Sequence, residues 1–200
     1  MSAEPALTAE PGPATSVPAP TPDEFRRAMA EFATGVTVVT GLEGDEPVGF
    51  ACQSFTSVSL DPPLVLFCAD HRGRSWPRIR GAGRFCVNVL GEDQRELCQR
   101  FGSSKGRKYE GLDWELSPWG TPSLPEVLLR VHAGIENVHR AGDHDVVIGR
   151  VLAIEIPRVE ERGEEHAGER PMIFFRSRFG IGEPEGPIAP YPWSRGDRWG

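Results

Sequence analysis

The sequence predicts a mainly β protein: an antiparallel barrel with helices packed on its outside. Three observations carry this reading. About six segments are β-branched or alternate apolar with polar residues, only two or three have helical spacing, and the strands are joined mostly by short Gly-, Pro- or Asp-bearing turns.

The elements follow in order. "TPDEFRRAMAEFA" (21–33) is a helix, with Thr21 as N-cap, Pro22 at the first helical position and Glu24 closing a capping box, while Phe25, Met29 and Phe32 share one face. Gly35 ends it. "VTVVT" (36–40) is a β-branched strand, and "GLEGDEP" (41–47) is its turn. Next comes a polar loop that Pro62 and Pro63 clamp to "LVLFC" (64–68), a run apolar throughout, as in a strand buried on both faces. "SWPRIRGAG" (75–83) suits a short helix capped by Ser75, "RFCVNVL" (84–90) a strand, and "EDQRELCQRF" (92–101) a helix with Leu97 and Phe101 on one side. In "VLLRVHAGIENV" (127–138), Val127, Leu129, Val131, Ala133 and Ile135 share one face and Arg130, His132 and Glu136 the other. It forms a hairpin with "DVVIGRVLAIEI" (145–156) across "HRAGDH", and "RPMIFFRSRFG" (170–180) supplies a final strand.

Residues 1–20 are Pro/Ala-rich and aperiodic, a composition that buries too little apolar surface to offset ordering entropy, so a disordered tail is expected there. Residues 183–200 form a second, Pro/Gly-rich tail, in which Trp193 and Trp199 suit docking on the body or on a partner chain. One domain is expected between them, over 21–182.

The formal charge of −7 argues against nucleic acid or an anionic membrane as the main partner. No apolar stretch approaches a membrane span, and the first 22 residues hold no Lys or Arg and no apolar core segment, so the expected location is cytoplasmic. Cys52, Cys68, Cys86 and Cys98 stand singly without a C-x-x-C pair, which speaks against zinc or disulfides.

Three segments could carry chemistry. In "GFACQSFTSVSLDPP" (49–63), short hydroxyls and backbone N–H groups could cup an oxyanion or the polar rim of a heteroaromatic ring; the plainer reading is a turn rich in Ser and Thr. In "RFGSSKGRKY" (100–109), Arg100, Lys105, Arg107 and Lys108 with Ser103 and Ser104 suit either a phosphate grip or a solvated loop. "HRAGDHDVVIG" (139–149) invites a metal, yet Asp143, His144 and Asp145 are consecutive and alternate faces on a strand. A hairpin turn with an exposed His, or a His offering its ring to a ligand, suits the segment better. No Rossmann, Walker, G-x-S-x-G or H-E-x-x-H sequence occurs.

Taken together, "FRRAMAEFATGVTVVT" (25–40), "PVGFACQSFTSVSLDPPLVLF" (47–67), "GRFCVNVL" (83–90), "GDHDVVIGRV" (142–151) and "FFRSRFG" (174–180) resemble the flavin reductase family with the split-barrel FMN-binding fold, the reductase partners of two-component flavin monooxygenases. The resemblance implies a homodimer of Greek-key split barrels that binds FAD or FMN, accepts hydride from NADH, and supplies reduced flavin to a separate monooxygenase. A flavin-binding carrier or sensor of the same fold is the alternative. Carried over by position, Thr34, Gly35 and Val36 would border the flavin, and Gln53, Ser54, Phe55 and Thr56 would follow its ring and ribityl chain. Ser57 and Ser59 would lie toward the phosphate, with Asn88, Ser103, Ser104 and Lys105 as further contacts. His144 would assist the nicotinamide, and Arg176, Ser177, Arg178 and Phe179 would cover it. No metal and no protein nucleophile are implied, since the cofactors carry hydride chemistry. Gln53 departs from the smaller residue common in relatives and leaves FAD against FMN open.

Overall fold

The computed structural model describes residues 18–105, 107–157 and 170–180. Three helices and twelve strands follow one another as α1 Pro22–Met29, β1 Thr34–Gly35, β2 Thr37–Glu43, β3 Glu46–Cys52, β4 Thr56–Leu60, β5 Pro63–Asp70, α2 Ser75–Ala82, β6 Arg84–Val89, α3 Arg95–Gly102, β7 Glu115–Leu116, β8 Pro122–Ser123, β9 Leu129–Ala141, β10 His144–Glu155, β11 Ile173–Phe175 and β12 Arg178–Phe179. Seven of these strands form one antiparallel sheet in the order β3-β2-β6-β9-β10-β5-β4. The sheet curls until β3 lies beside β5, where a side chain rather than a backbone ladder closes the wall. The Ser54 hydroxyl accepts from the Cys68 N–H at 2.7 Å and donates to its carbonyl at 3.3 Å. This is the expected barrel, open along one seam.

Strand β2 explains why "VTVVT" is apolar or β-branched throughout: it is buried on both faces. Val39 enters the barrel interior with Phe50, Phe67, Phe85 and Trp76, while Val38 joins a second core with Leu90, Phe101, Leu124 and Met172. Phe67 is central to the first core, meeting Phe85 and Trp76 edge-on at 5.0 and 5.8 Å. Gly149 is required by that packing, because a Cβ there would lie 2.3 Å from Phe85 Cζ.

The Trp76 indole N–H donates to Asp145 at 2.9 Å, and Asp145 also bonds His71 at 2.8 Å. These contacts pin α2 to the β9–β10 hairpin. They hold the Asp145 carboxyl below its ordinary range, the indole bond foremost.

Several local expectations are corrected. The turn after β2 is two residues, Gly44 and Asp45, with Gly44 at φ 60° as a primed hairpin turn wants, so the strands run farther than the composition suggested. The polar loop is partly strand: 56–60 pair with β5 as the sheet edge, beyond which the chain turns through a cis Asp61–Pro62 bond. Arg74, not Ser75, stands at the N-cap of α2, and the Ser75 hydroxyl donates to the Gly49 carbonyl at 2.9 Å. The last strand is split by Arg176 and Ser177, both at positive φ, into the hairpin β11–β12.

His132 is fully buried, stacked on Trp119 at 4.6 Å and bonded to Thr121 and Glu155 at 2.7 and 3.2 Å. The face shared by Arg130, His132 and Glu136 is therefore partly covered by the 117–124 loop.

The capping box of α1 is present: the Glu24 N–H donates to Thr21 Oγ1, and the Thr21 N–H to the Glu24 carboxylate. The helix stops at Met29 with Ala30 as its C-cap, short of the expected end at Gly35, which belongs to β1, so Phe32 lies in the turn after it; Phe25, Met29 and Phe32 are 58%, 49% and 67% exposed. Apart from 18–20, the expected tails lie outside the described residues, and so do Trp193 and Trp199. Among the described residues no helix is long and apolar enough to cross a membrane.

Candidate functional site

Two cavities lie along β3 and share Phe50 as a wall. The smaller, about 170 Å³, sits at the barrel seam between Cys52, Gln53, Ser54, Cys68 and His144. The larger, about 750 Å³, is bounded by Gly49, Arg74, Ser75, Ser103, Ser104 and Lys108 among others. The sequence forms them because the C-terminal end of β3 leaves the ladder at Cys52, just where the Ser54–Cys68 contact begins. At the other end Gly49 allows α3 to approach: a Cβ on it would meet Phe101 Cε1 at 2.8 Å and the Val39 carbonyl at 2.9 Å.

In the small cavity the Gln53 side-chain nitrogen is buried and finds no acceptor among the described residues. A buried amide donor without a partner costs on the order of 1–3 kcal/mol, which an acceptor reaching Gln53 would recover. His144 faces the same space from the tip of the β9–β10 hairpin. Its Nδ1 lies 2.8 Å from Asp143, and this bond holds the Asp143 carboxyl below its ordinary range. Cys52 is inert there, since burial pushes its thiol up.

In the large cavity the Lys108 ammonium donates to the carbonyls of Gly49 and Phe101 at 3.0 and 2.9 Å. Burial, and next the charge of Arg74, pull its pKa down to about 8. Arg74 reaches the Ser104 carbonyl and so ties the start of α2 to the segment after α3.

The structure thus brings Gln53, Ser54 and His144 into one cavity and Ser103 and Ser104 into its neighbour. The remaining candidates lie elsewhere. Thr34 and Gly35 pair with β11, and Arg176 bonds Glu31 of the segment after α1, so this group forms a second locus outside both cavities. Ser177 shares the β11–β12 turn. Phe179 packs on Phe174 at 5.3 Å and lies beneath the Arg95 guanidinium, with Arg178 preceding it on β12.

Phe55 packs on the barrel core, while Thr56, Ser57 and Ser59 run along the edge strand β4. Lys105 is exposed and donates its backbone N–H to Ser103. Val36 and Asn88 leave the candidate set. Val36 is fully buried with its N–H and C=O bonded to Met172 and Leu90. Asn88 is likewise buried, its amide committed to Val38, Thr40 and Leu124.

Sequence reasoning passed over Gly49, Cys68, Arg74 and Ser75. The charges in "DHRGRSW" (70–76) were a visible signal, but their approach to 103–108 was not.

The model of the flavin reductase like domain matches residues 29–183. The chain belongs to that family. The reductase subunit HsaB of a flavin-dependent monooxygenase from Rhodococcus jostii is 44% identical over 172 residues, covering 86% of this chain and 83% of the relative. Among solved flavin reductase relatives, nitrilotriacetate monooxygenase component B from Mycobacterium thermoresistibile superposes with a TM-score of 0.72 at 43% identity, over 82% of this chain and 89% of that one. The NADH:FAD oxidoreductase SgcE6 of Streptomyces globisporus has a TM-score of 0.71 at 29% identity, over 90% and 100% of the two chains.

The residues present fit a flavin nucleotide. The unpartnered Gln53 donor suits the acceptor-rich rim of a flavin ring, and the Arg74 and Lys108 cations suit its phosphorylated end.

Proposed function

We propose that this protein is an NADH-dependent flavin reductase that delivers reduced FAD or FMN to a separate flavin-dependent monooxygenase. The observation that carries the reading is the small cavity, where a buried amide donor and a histidine face each other across the barrel seam beside a basic cleft. The names of the relatives support it: a monooxygenase reductase subunit and an NADH:FAD oxidoreductase.

When bound, the flavin would supply the hydride-accepting ring and NADH the hydride, so the chain's own work is binding and orientation. Gln53 would donate to the ring's edge, while Ser54 keeps the wall beside it in place. Arg74 and Lys108 would hold the anionic end, with Ser103 and Ser104 alongside. His144, kept in orientation by Asp143, would take the nicotinamide amide.

The domain spans 21–182 in this reading, and its location is cytoplasmic. Two copies would associate through α1 and the turn after it, where Phe25, Met29 and Phe32 are exposed. The Thr34–Gly35 and Arg176–Phe179 locus adjoins that face, so a second copy would bring it to the site.

The test is NADH oxidation with FAD and with FMN added to gel-filtered protein. Turnover that depends on added flavin, with the flavin separating on filtration, is the expected result. Flavin binding without NADH consumption would make the protein a carrier instead.

A further inference from the structure

We infer that His71, in the turn after β5, is a positioning residue that fixes the aim of His144 by holding the residues on either side of it. The inference rests on the reading above, in which His144 takes the nicotinamide. His144 stands at a weak place in its hairpin. Gly142 and Asp143 make the turn, His144 opens β10, and its pairs with Ala141 and Asp70 are the last of their ladders. Ladder ends open more readily than ladder middles, so a side chain there keeps its aim only if something beyond the ladder secures it.

His71 supplies that. It is the first residue past β5, and its backbone N–H donates to the Asp143 carbonyl at 3.0 Å. Its ring Nε2 lies 2.8 Å from the Asp145 carboxylate. Both sequence neighbours of His144 are thus bonded to one residue. Because side chains alternate along a strand, Asp145 turns under the hairpin while His144 faces the small cavity, so the clamp acts from behind and leaves the His144 ring open to a ligand.

The clamp is itself anchored. Asp145 accepts from the Trp76 indole at 2.9 Å, and that indole packs edge-on against Phe67 at 5.8 Å in the barrel core. A carboxylate only accepts, so the His71 nitrogen facing it is the donor, and a charged acceptor makes the bond stronger than a neutral one would. Arg80 comes within 3.4 Å of Asp145, and Arg72 within 3.9 Å of Asp143, but each of these guanidiniums is about half exposed and serves one side only. His71, at 29% exposure, reaches the tip on both sides of His144.

The test is steady-state kinetics of the whole chain with added flavin. His71→Ala should raise the Michaelis constant for NADH about threefold or more, the scale of one lost hydrogen bond, with kcat and flavin affinity nearly unchanged. His71→Gln, whose side-chain nitrogen falls close to the place of Nε2, should recover most of the loss. The deciding measurement combines two substitutions. In a His144→Ala background, His71→Ala should raise the constant no further, since its effect passes through His144. A fold merely loosened would cost the same in both backgrounds.

Should His71→Ala fail to fold, His71→Asn, too short to reach Asp145, carries the same expectation. An unchanged NADH constant in the His71 variant, or an equal rise in both backgrounds, overturns the inference and leaves the reductase reading standing. An unchanged NADH constant in His144→Ala overturns the inference together with the role of His144. A protein that consumes no NADH with added flavin overturns the reductase reading as well.

Discussion

The hydroxyl of Ser54 holds the backbone of Cys68 at both its polar groups, 2.7 Å from the N–H and 3.3 Å from the carbonyl, and so joins strands β3 and β5 where no ladder does. Replacing Ser54 by Ala should cost about 1 kcal/mol of stability. The loss should also weaken flavin binding, because Gln53 beside it loses its anchor. Urea titration and flavin fluorescence quenching on the same variant read the two effects, and unchanged values in both would show the bridge to be incidental.

His144 should act on the nicotinamide side. Replacement by Ala is expected to raise the Michaelis constant for NADH several-fold more than it changes flavin affinity. Steady-state kinetics varied in each substrate separately checks this, and an unchanged NADH dependence would return the residue to a hairpin role.

Lys108 gives a pH signature at the alkaline end. Burial and Arg74 lower its folded pKa from 10.5 to about 8. Between those values the unfolded chain still binds a proton that the folded one has released, so stability should climb with pH across that window. Lys108→Met should flatten the climb in urea titrations from about pH 7.5 to about 10. Affinity for phosphorylated flavin should fall above about pH 8 as the ammonium is lost, whereas riboflavin should be much less affected.

His132 gives the opposite end. Burial lowers its folded pKa below 6.5, despite the Glu155 carboxylate at its ring. On acidification the unfolded chain protonates first, so this contribution is fully present above about pH 6.5 and is lost as pH falls through that value toward the lower folded one. His132→Phe, keeping a ring against Trp119, should show a shallower loss of stability on acidification than the parent. Equal slopes would mean that the imidazole does not titrate differently on folding.

The α1 face should govern assembly. Phe25→Ser with Phe32→Ser should convert a dimer to a monomer in sedimentation equilibrium with helix content unchanged, since both rings are already exposed. A parent that sediments as a monomer would remove this interface.

What the sequence made legible was local. The capping box of α1 needs only Thr21, Pro22 and Glu24, and the strands of β2, β6, β9 and β10 follow from residue type and alternation. What it hid was brought together from a distance. Alternation put His132 on an outer face, but only the path of the 117–124 loop decides what covers that face. Arg176 and Ser177 take positive φ without glycine, so no turn signature marked the break before β12. Gln53, Ser54 and His144 were legible as candidates from the family resemblance. Arg74, far in sequence from Lys108, became visible only once α2 and the segment after α3 met over Gly49.

Phe50 borders both cavities from one strand while its ring packs into the barrel core against Phe67. Any slippage of β3 along the seam displaces the lining of both compartments in the same stroke. A ligand long enough to span both would have its head and its tail framed by that single strand.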